Sequence, residues 1–216
     1  MTEPSTGSLA NLPSVADLLR QSKALAMLDA IVSPEWEYRY YSFDSHWGSG
    51  EFMASMRNGS GDGYFILFDE HGAAIKGFDH EAAISPWATD PPSIWPGMYD
   101  GVPDDFSSFL NEPAFSMEAV TFCVWRRYSD TAWQRGPVTL PAGDDPDGSD
   151  WLLAIFDGDP ETYQAFARDY YEVELPLEAI ESVYRLAPLT DEIVLALNSE
   201  LTAEDVVADA LEIGYP

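Results

Sequence analysis

Thirty-eight aspartates and glutamates stand against ten lysines and arginines in this chain of 216 residues, for a net charge of -28. Neighbouring carboxylates repel unless a counter-charge or cation sits nearby, so a fold built from this sequence must keep most of its acids in water. The imbalance excludes non-specific nucleic-acid binding, which needs a basic face. It favours basic partners and speeds their encounter. Residues 1–100 hold 14 acids and 5 bases, residues 101–216 hold 24 and 5, so acidity rises toward the C-terminus. From Asp144 to Glu181 the only base is Arg168.

The chain still has the means to fold. Its composition is 46% hydrophobic and 13% aromatic, enough to bury about 70% of the unfolded surface and too apolar for a disordered acidic tail. Apolar runs such as Trp151 to Phe156 fall short of the ~20 residues a membrane span requires. No basic-then-apolar signal opens the sequence, which predicts a cytoplasmic protein without membrane contact. Cys123 is the single cysteine, so an internal disulfide and a Cys-based zinc site are both excluded.

Residues 1–12 read as a disordered leader and 13–216 as one α+β domain. Ser14 and Asp17 form a capping-box pattern before a helix running to about Ile31, which Ser33-Pro34 stops. Alternation of Trp36, Tyr38 and Tyr40 predicts a strand over Glu35 to Phe43. Glu51 to Arg57, Tyr64 to Asp69 and Ala73 to Phe78 follow as strands joined by Gly-rich turns, an antiparallel meander. Residues 79–102 form a proline- and tryptophan-rich loop, and Pro103 opens a short helix through Leu110. Val120 to Tyr128, the segment around Trp133, and Trp151 to Phe156 extend the sheet. Asp159-Pro160 begins a helix carrying Tyr163, Phe166 and Tyr170. Three helical segments finish the chain at 176–186, 190–198 and 202–213, the last behind a Thr202/Asp205 capping box. The expected architecture is an antiparallel sheet of about six or seven strands flanked by N-terminal and C-terminal helices.

Three short motifs could carry chemistry. Every histidine has an acid within two positions, the arrangement that sets an imidazole's tautomer for a base or a metal ligand. His80, between Asp79 and Glu81 and just after Gly77, which would let the backbone bend, is the foremost candidate base, with His46 of FDSHWG as its partner. Trp47, Trp87 and Trp95 could wall a pocket beside them. No metal-ligand spacing accompanies these residues, so no metal or other cofactor is implied. The second motif is SMRNGSGDG, where Arg57 runs into a Gly-rich turn with Ser60 and Asp62 exposed. Such turns can aim amides at an anion, but without a following helix or lysine this one reads as a hairpin. The third, AGDDPDGSD, sets Asp145, Asp147 and Gly148 as the third, fifth and sixth residues of a calcium loop. Gly143 and Ala154 replace the two end ligands, so an acidic turn is the expectation, with Asp144, Asp145 and Asp147 available to a cationic partner. No Ser or Cys is placed as a nucleophile, and Arg126 and Arg127 are expected to pair with carboxylates inside the protein.

SMRNGSGD, GFDHE, PAFS, VTFCVW, DDPDGSD and DYYEVEL together resemble a bacterial family of about this size over residues 24–198. The family has no established activity, so the resemblance carries over no catalytic residue. VPDDFSSFL (Val102 to Leu110) is similar to the LP-x-x-[YF]-x-x-[FL]-L helix of the SMI1/KNR4-type immunity superfamily, whose members are acidic α+β binders of toxins. That similarity implies a non-catalytic inhibitor with a basic protein partner. The competing expectation is a hydrolase using His80, Asp79, Glu81 and His46 beside the 79–102 loop, with or without a divalent ion.

Overall fold

The computed structural model describes residues 3–216, and the chain adopts the expected α+β class. Among the described residues there are seven α-helices and one six-stranded antiparallel sheet with its strands in sequence order. The strands are β1 (Tyr41–Gly48), β2 (Glu51–Arg57), β3 (Gly63–Phe68), β4 (Gly72–Phe78), β5 (Phe122–Arg127) and β6 (Gln134–Arg135). Helix α1 (Val15–Val32) precedes them, α2 (Ser107–Leu110) and α3 (Ser149–Leu153) lie in the connections, and α4 (Pro160–Tyr170), α5 (Leu177–Tyr184), α6 (Asp191–Leu197) and α7 (Val207–Ile213) close the chain. Among the described residues no helix is long and apolar enough to cross a membrane. The chain divides into two compact units: the segment up to Val15 with Ser55–Asp157, and Ala16–Ala54 with Gly158–Pro216.

In the first unit β4 is the central strand, with Ala73, Ala74 and Ile75 fully buried. It pairs with β3 from Gly63↔Phe78 to Phe68↔Ala73 and with β5 from Gly72↔Arg127 to Gly77↔Phe122. Short Gly-rich turns allow this meander, and β-branched and aromatic residues fill its pleats. Gly77 serves packing rather than bending, since a Cβ there would lie 2.0 Å from the Phe122 ring. Lys76 is buried in the same strand; its ammonium donates to the carbonyls of Phe115 and Ser116 at 2.8 and 3.2 Å, and burial lowers its pKa to about 8.

Trp151 to Phe156 is helical rather than a strand. Asp145 accepts the amides of Asp150 and Trp151 and Asp147 accepts that of Ser149, so carboxylates cap α3 and a 3₁₀ turn (Ala154–Asp157) continues it. A short apolar run fits a buried helix as well as a buried strand, and here the caps decide. The predicted disordered leader departs from expectation over its described part, residues 1 and 2 lying outside the described residues. Thr6–Asn11 forms a 3₁₀ helix, and buried Thr6 donates its amide to Ser149 at 3.0 Å and its hydroxyl to Asp147.

In the second unit the predicted strand over Glu35 to Phe43 starts late. Trp36–Tyr38 is a 3₁₀ turn with Trp36 and Tyr38 exposed. The Arg39 guanidinium holds it by donating to the Ser33 and Pro34 carbonyls and to Asp209. Asp159 caps α4 as predicted, but the chain from Thr202 to Asp205 is a turn closed by Thr202 donors on Asp205, and α7 begins only at Val207.

The centre of this unit is Asp29 of α1, fully buried. Its Oδ2 accepts the Tyr40 and Tyr41 amides at 2.9 and 2.7 Å and the Tyr171 hydroxyl at 2.8 Å, and its Oδ1 accepts the Tyr163 hydroxyl at 2.7 Å. One carboxylate thereby joins α1, the start of β1 and α4. Burial raises its pKa to about 6, against the lowering effect of these donors. A carboxyl titrating higher in the folded state than its ordinary value of 3.8 binds its proton more tightly when folded. Its contribution to stability is therefore complete below about pH 4, declines as pH rises to about 6 and is flat above, a change of about 3 kcal/mol. Asp29→Asn, whose amide can replace the carboxylate and donate to the Tyr163 hydroxyl, is expected to remain folded. In urea denaturation it should gain stability relative to the parent between pH 4 and 6. Asp29→Ala, which removes the acceptor of two tyrosine hydroxyls and of the Tyr40 and Tyr41 amides, should lose several kcal/mol, roughly, at either pH.

Candidate functional site

The register of the β3–β4 hairpin builds the site. Gly63 pairs with Phe78, so the residue before β3, Asp62, and those after β4, Asp79 and His80, arrive at the same end of the hairpin. His80 donates its amide to Asp62 Oδ1 at 2.7 Å, and its ring Nδ1 lies 2.6 Å from the same oxygen. Asp62 is buried, not exposed as the Gly-rich turn suggested. Asn58 locks the turn, its side-chain Oδ1 accepting the Ser60 and Asp62 amides and its side-chain Nδ2 donating to Asp62 Oδ2 at 2.8 Å.

Asp79 is held from the other side. Its Oδ1 accepts the Glu81 amide at 2.8 Å, and its Oδ2 accepts the indole N–H of Trp151 in α3 at 2.9 Å. The Thr121 hydroxyl accepts the Asp79 amide at 3.2 Å and donates to the Asp147 carbonyl at 2.7 Å, tying β5 to the acidic turn. That turn approaches Asp79 through Gly148, which has φ +76° and where a Cβ would lie 2.4 Å from Asp79 Cβ. The three motifs, GSGDG, GFDHE and DPDGS, thus converge at one corner of the first unit.

The electrostatics follow from this geometry. Burial pushes the Asp62 carboxyl up, but hydrogen bonds from His80 and Asn58 outweigh it and hold the group below its usual range. The hydrogen bond to Asp62, then the charges of Asp62, Glu81 and Asp79, raise the His80 imidazole above its ordinary value. One ligand atom from each of Asp62, Asp79 and His80 lies within 4.8 Å of the others. Asp62 also lines a cleft of about 450 Å³ between the Gly-rich turn and residues 114–119, with Arg57, Lys76, Phe65 and Phe78 on its walls.

The other sequence candidates fall elsewhere. Glu81 is exposed and meets the corner through its amide, on Asp79, and through its charge, which acts on His80. His46 lies in β1 of the second unit, where it takes up Asp44 and Ser45 as hydrogen-bond partners. Trp47 is also on β1. Trp87 is exposed and stands edge-on to Phe78, with ring centroids 5.2 Å apart. Trp95 donates to the Thr139 carbonyl and lines a separate cleft of about 650 Å³ with Ile94, Asp100 and Pro137. Asp144 is exposed, whereas Asp145 caps α3 and Asp147 is buried, so Asp147 cannot meet a partner. Arg127 pairs with Asp105 at 2.7 Å as expected, while Arg126 reaches only the Thr131 carbonyl. Cys123 is buried, and burial drives its thiol far above its ordinary range, which removes it as a nucleophile.

Asp62 and Trp151 are the members that motif spacing misses. Pairing the two predicted strands about the His71-Gly72 turn finds Asp62; nothing local announces Trp151. No family model matches the chain, and no curated protein or solved structure matches it.

Gly59 and Gly148 share a φ of +76°, but a Cβ at Gly59 has nothing within 4 Å. Gly59→Ala should therefore cost about 1 kcal/mol for the left-handed backbone alone. Gly148→Ala should cost a further 1–3 kcal/mol, roughly, because Asp79 must move. Equal losses in urea denaturation would remove the close approach of Gly148 to Asp79 as a structural requirement.

Proposed function

We propose that the protein is a non-catalytic binding protein, an immunity-type inhibitor whose acidic surface engages a basic toxin or other cationic protein. The observation that carries this reading is the extent of unneutralised charge. The first unit holds 18 acids and 5 bases and the second 20 and 5, so the C-terminal weighting of the sequence becomes an acidic load shared by both units. Arg20, Arg39, Arg127, Arg168 and Arg185 lie 2.6–3.5 Å from carboxylates, and Lys23 and Lys76 are spent on backbone carbonyls. Most acids therefore face solvent without a cation. The resemblance of VPDDFSSFL to the immunity helix points the same way.

A second reading, a hydrolase, is favoured by the meeting of Asp79 and His80 with Asp62 beside a cleft. In that case water activated at the corner would be the nucleophile.

Binding by exposed charge is screened beyond about 8 Å at physiological ionic strength. Immobilised protein in low salt is expected to retain one discrete basic protein from its host and to release it as salt rises through a few hundred millimolar, roughly tenfold weaker across that range. Recovery of no basic protein at low salt would overturn the binding reading. Indiscriminate retention of all basic proteins would do the same.

A further inference from the structure

We propose that Asp62, Asp79 and His80 bind one divalent first-row transition-metal ion, zinc or manganese, at the open end of the β3–β4 hairpin. The first support is geometric. Ligand atoms around an ion at ~2.1 Å stand about 3 to 4 Å apart, and the three side chains already offer atoms within 4.8 Å of one another. Small rotations of side chains close that difference. The ion would take the place of the proton shared by His80 Nδ1 and Asp62 Oδ1 and release it to solvent.

The second support is charge. Asp62 and Asp79 are at least nine-tenths buried, and among the described residues no lysine or arginine lies within 4.0 Å of either. Among the described residues His80 is the one group within 4.0 Å that can carry positive charge, so two buried carboxylates have at most one cationic side chain at that range. Buried charge without an adequate counter-charge is costly, and a dication balances this pair.

The third is how the ligands are held. Metal-binding side chains in proteins are oriented by outer hydrogen bonds. Here the Asn58 amide and the His80 backbone fix Asp62, while the Trp151 indole and the Glu81 backbone fix Asp79. Trp151 is a donor only, so it cannot itself compete for an ion, and it aims Asp79 from a different element. The His80 side chain is half-exposed, which leaves a path of entry and coordination positions for water. One imidazole with two carboxylates selects zinc or manganese over magnesium and calcium, which prefer an all-oxygen shell. The inference rests on neither functional reading, because an ion here can order the corner or activate a water.

The test is titration of chelator-stripped protein with zinc chloride and manganese chloride, read by calorimetry and by tryptophan fluorescence. The expected result is one tight site per chain, distinguishable from weak multiple binding to surface carboxylates. His80→Gln and Asp79→Asn should each weaken it at least tenfold, in line with loss of a ligand. Asp144→Asn, at an exposed acid outside the corner, should leave it unchanged, and Trp151→Phe should lower the fluorescence response while retaining the stoichiometry. If Asp79→Asn fails to fold, His80→Gln decides, since that side chain is half in solvent. Unaltered binding in His80→Gln, or only weak sites of high stoichiometry for both metals, would overturn the proposal. Partner capture measured with chelator present is independent of this result, so failure of the metal site and failure of the binding reading can be told apart.

Discussion

The scarcity of cations governs how this chain buries polar groups. With ten bases for 38 acids, an interior carboxylate must be satisfied by neutral donors or not buried at all. Asp29 takes two backbone amides and two tyrosine hydroxyls, Asp147 takes Thr6 and the Ser149 amide, and Asp79 takes a backbone amide and an indole. The abundance of tyrosine and tryptophan has a structural use here beyond apolar burial, because each brings a donor into the core on a rigid ring. Around Asp29 those rings also pack on one another, with Tyr40 4.8 Å from Phe166 and 4.7 Å from Tyr170 between centroids. Each internal acid thereby ties together segments distant in sequence.

The corner at the end of the β3–β4 hairpin is built by the same economy but is less complete. Asp62 and Asp79 also rely on amides and an indole, yet among the described residues the one cationic side chain within 4.0 Å is a histidine half in solvent. Asp29 lies where water cannot reach and its charge is met by neutral donors on both oxygens. Asp62 and Asp79 lie beside an opening, with a ring nitrogen already sharing one oxygen. That difference in surroundings separates an acid that organises a core from a pair that can take up a ligand.

Much of the fold was legible in the residues. Period-two alternation, Gly-rich turns and caps located β2 to β5, α1, α2 and α4 to α6, because those signals act within a few residues. The misreadings occur where distant groups overrule local pattern. Trp36, Tyr38 and Tyr40 alternate as a strand would, but Arg39 draws the Ser33 and Pro34 carbonyls into a turn and Asp29 takes the Tyr40 and Tyr41 amides. Trp151 to Phe156 has no periodicity to separate helix from strand, and Asp145 and Asp147 settle it from the preceding turn. Leader residues rich in Ser, Thr and Gly look loose, yet Thr6 finds partners more than a hundred positions away.

Of the candidate site, the sequence by itself determined the chemistry on offer: an imidazole flanked by carboxylates, a hairpin to carry it, an acidic turn and an excess of negative charge. Those follow from residue type and from interactions that span a few positions. Only the tertiary structure decided that Asp62 joins Asp79 and His80, that Trp151 reaches Asp79 and that His46 lies in the other unit. The physical reason is that strand register and helix placement come from burying side chains across the whole unit, and the positions of functional atoms inherit that collective choice.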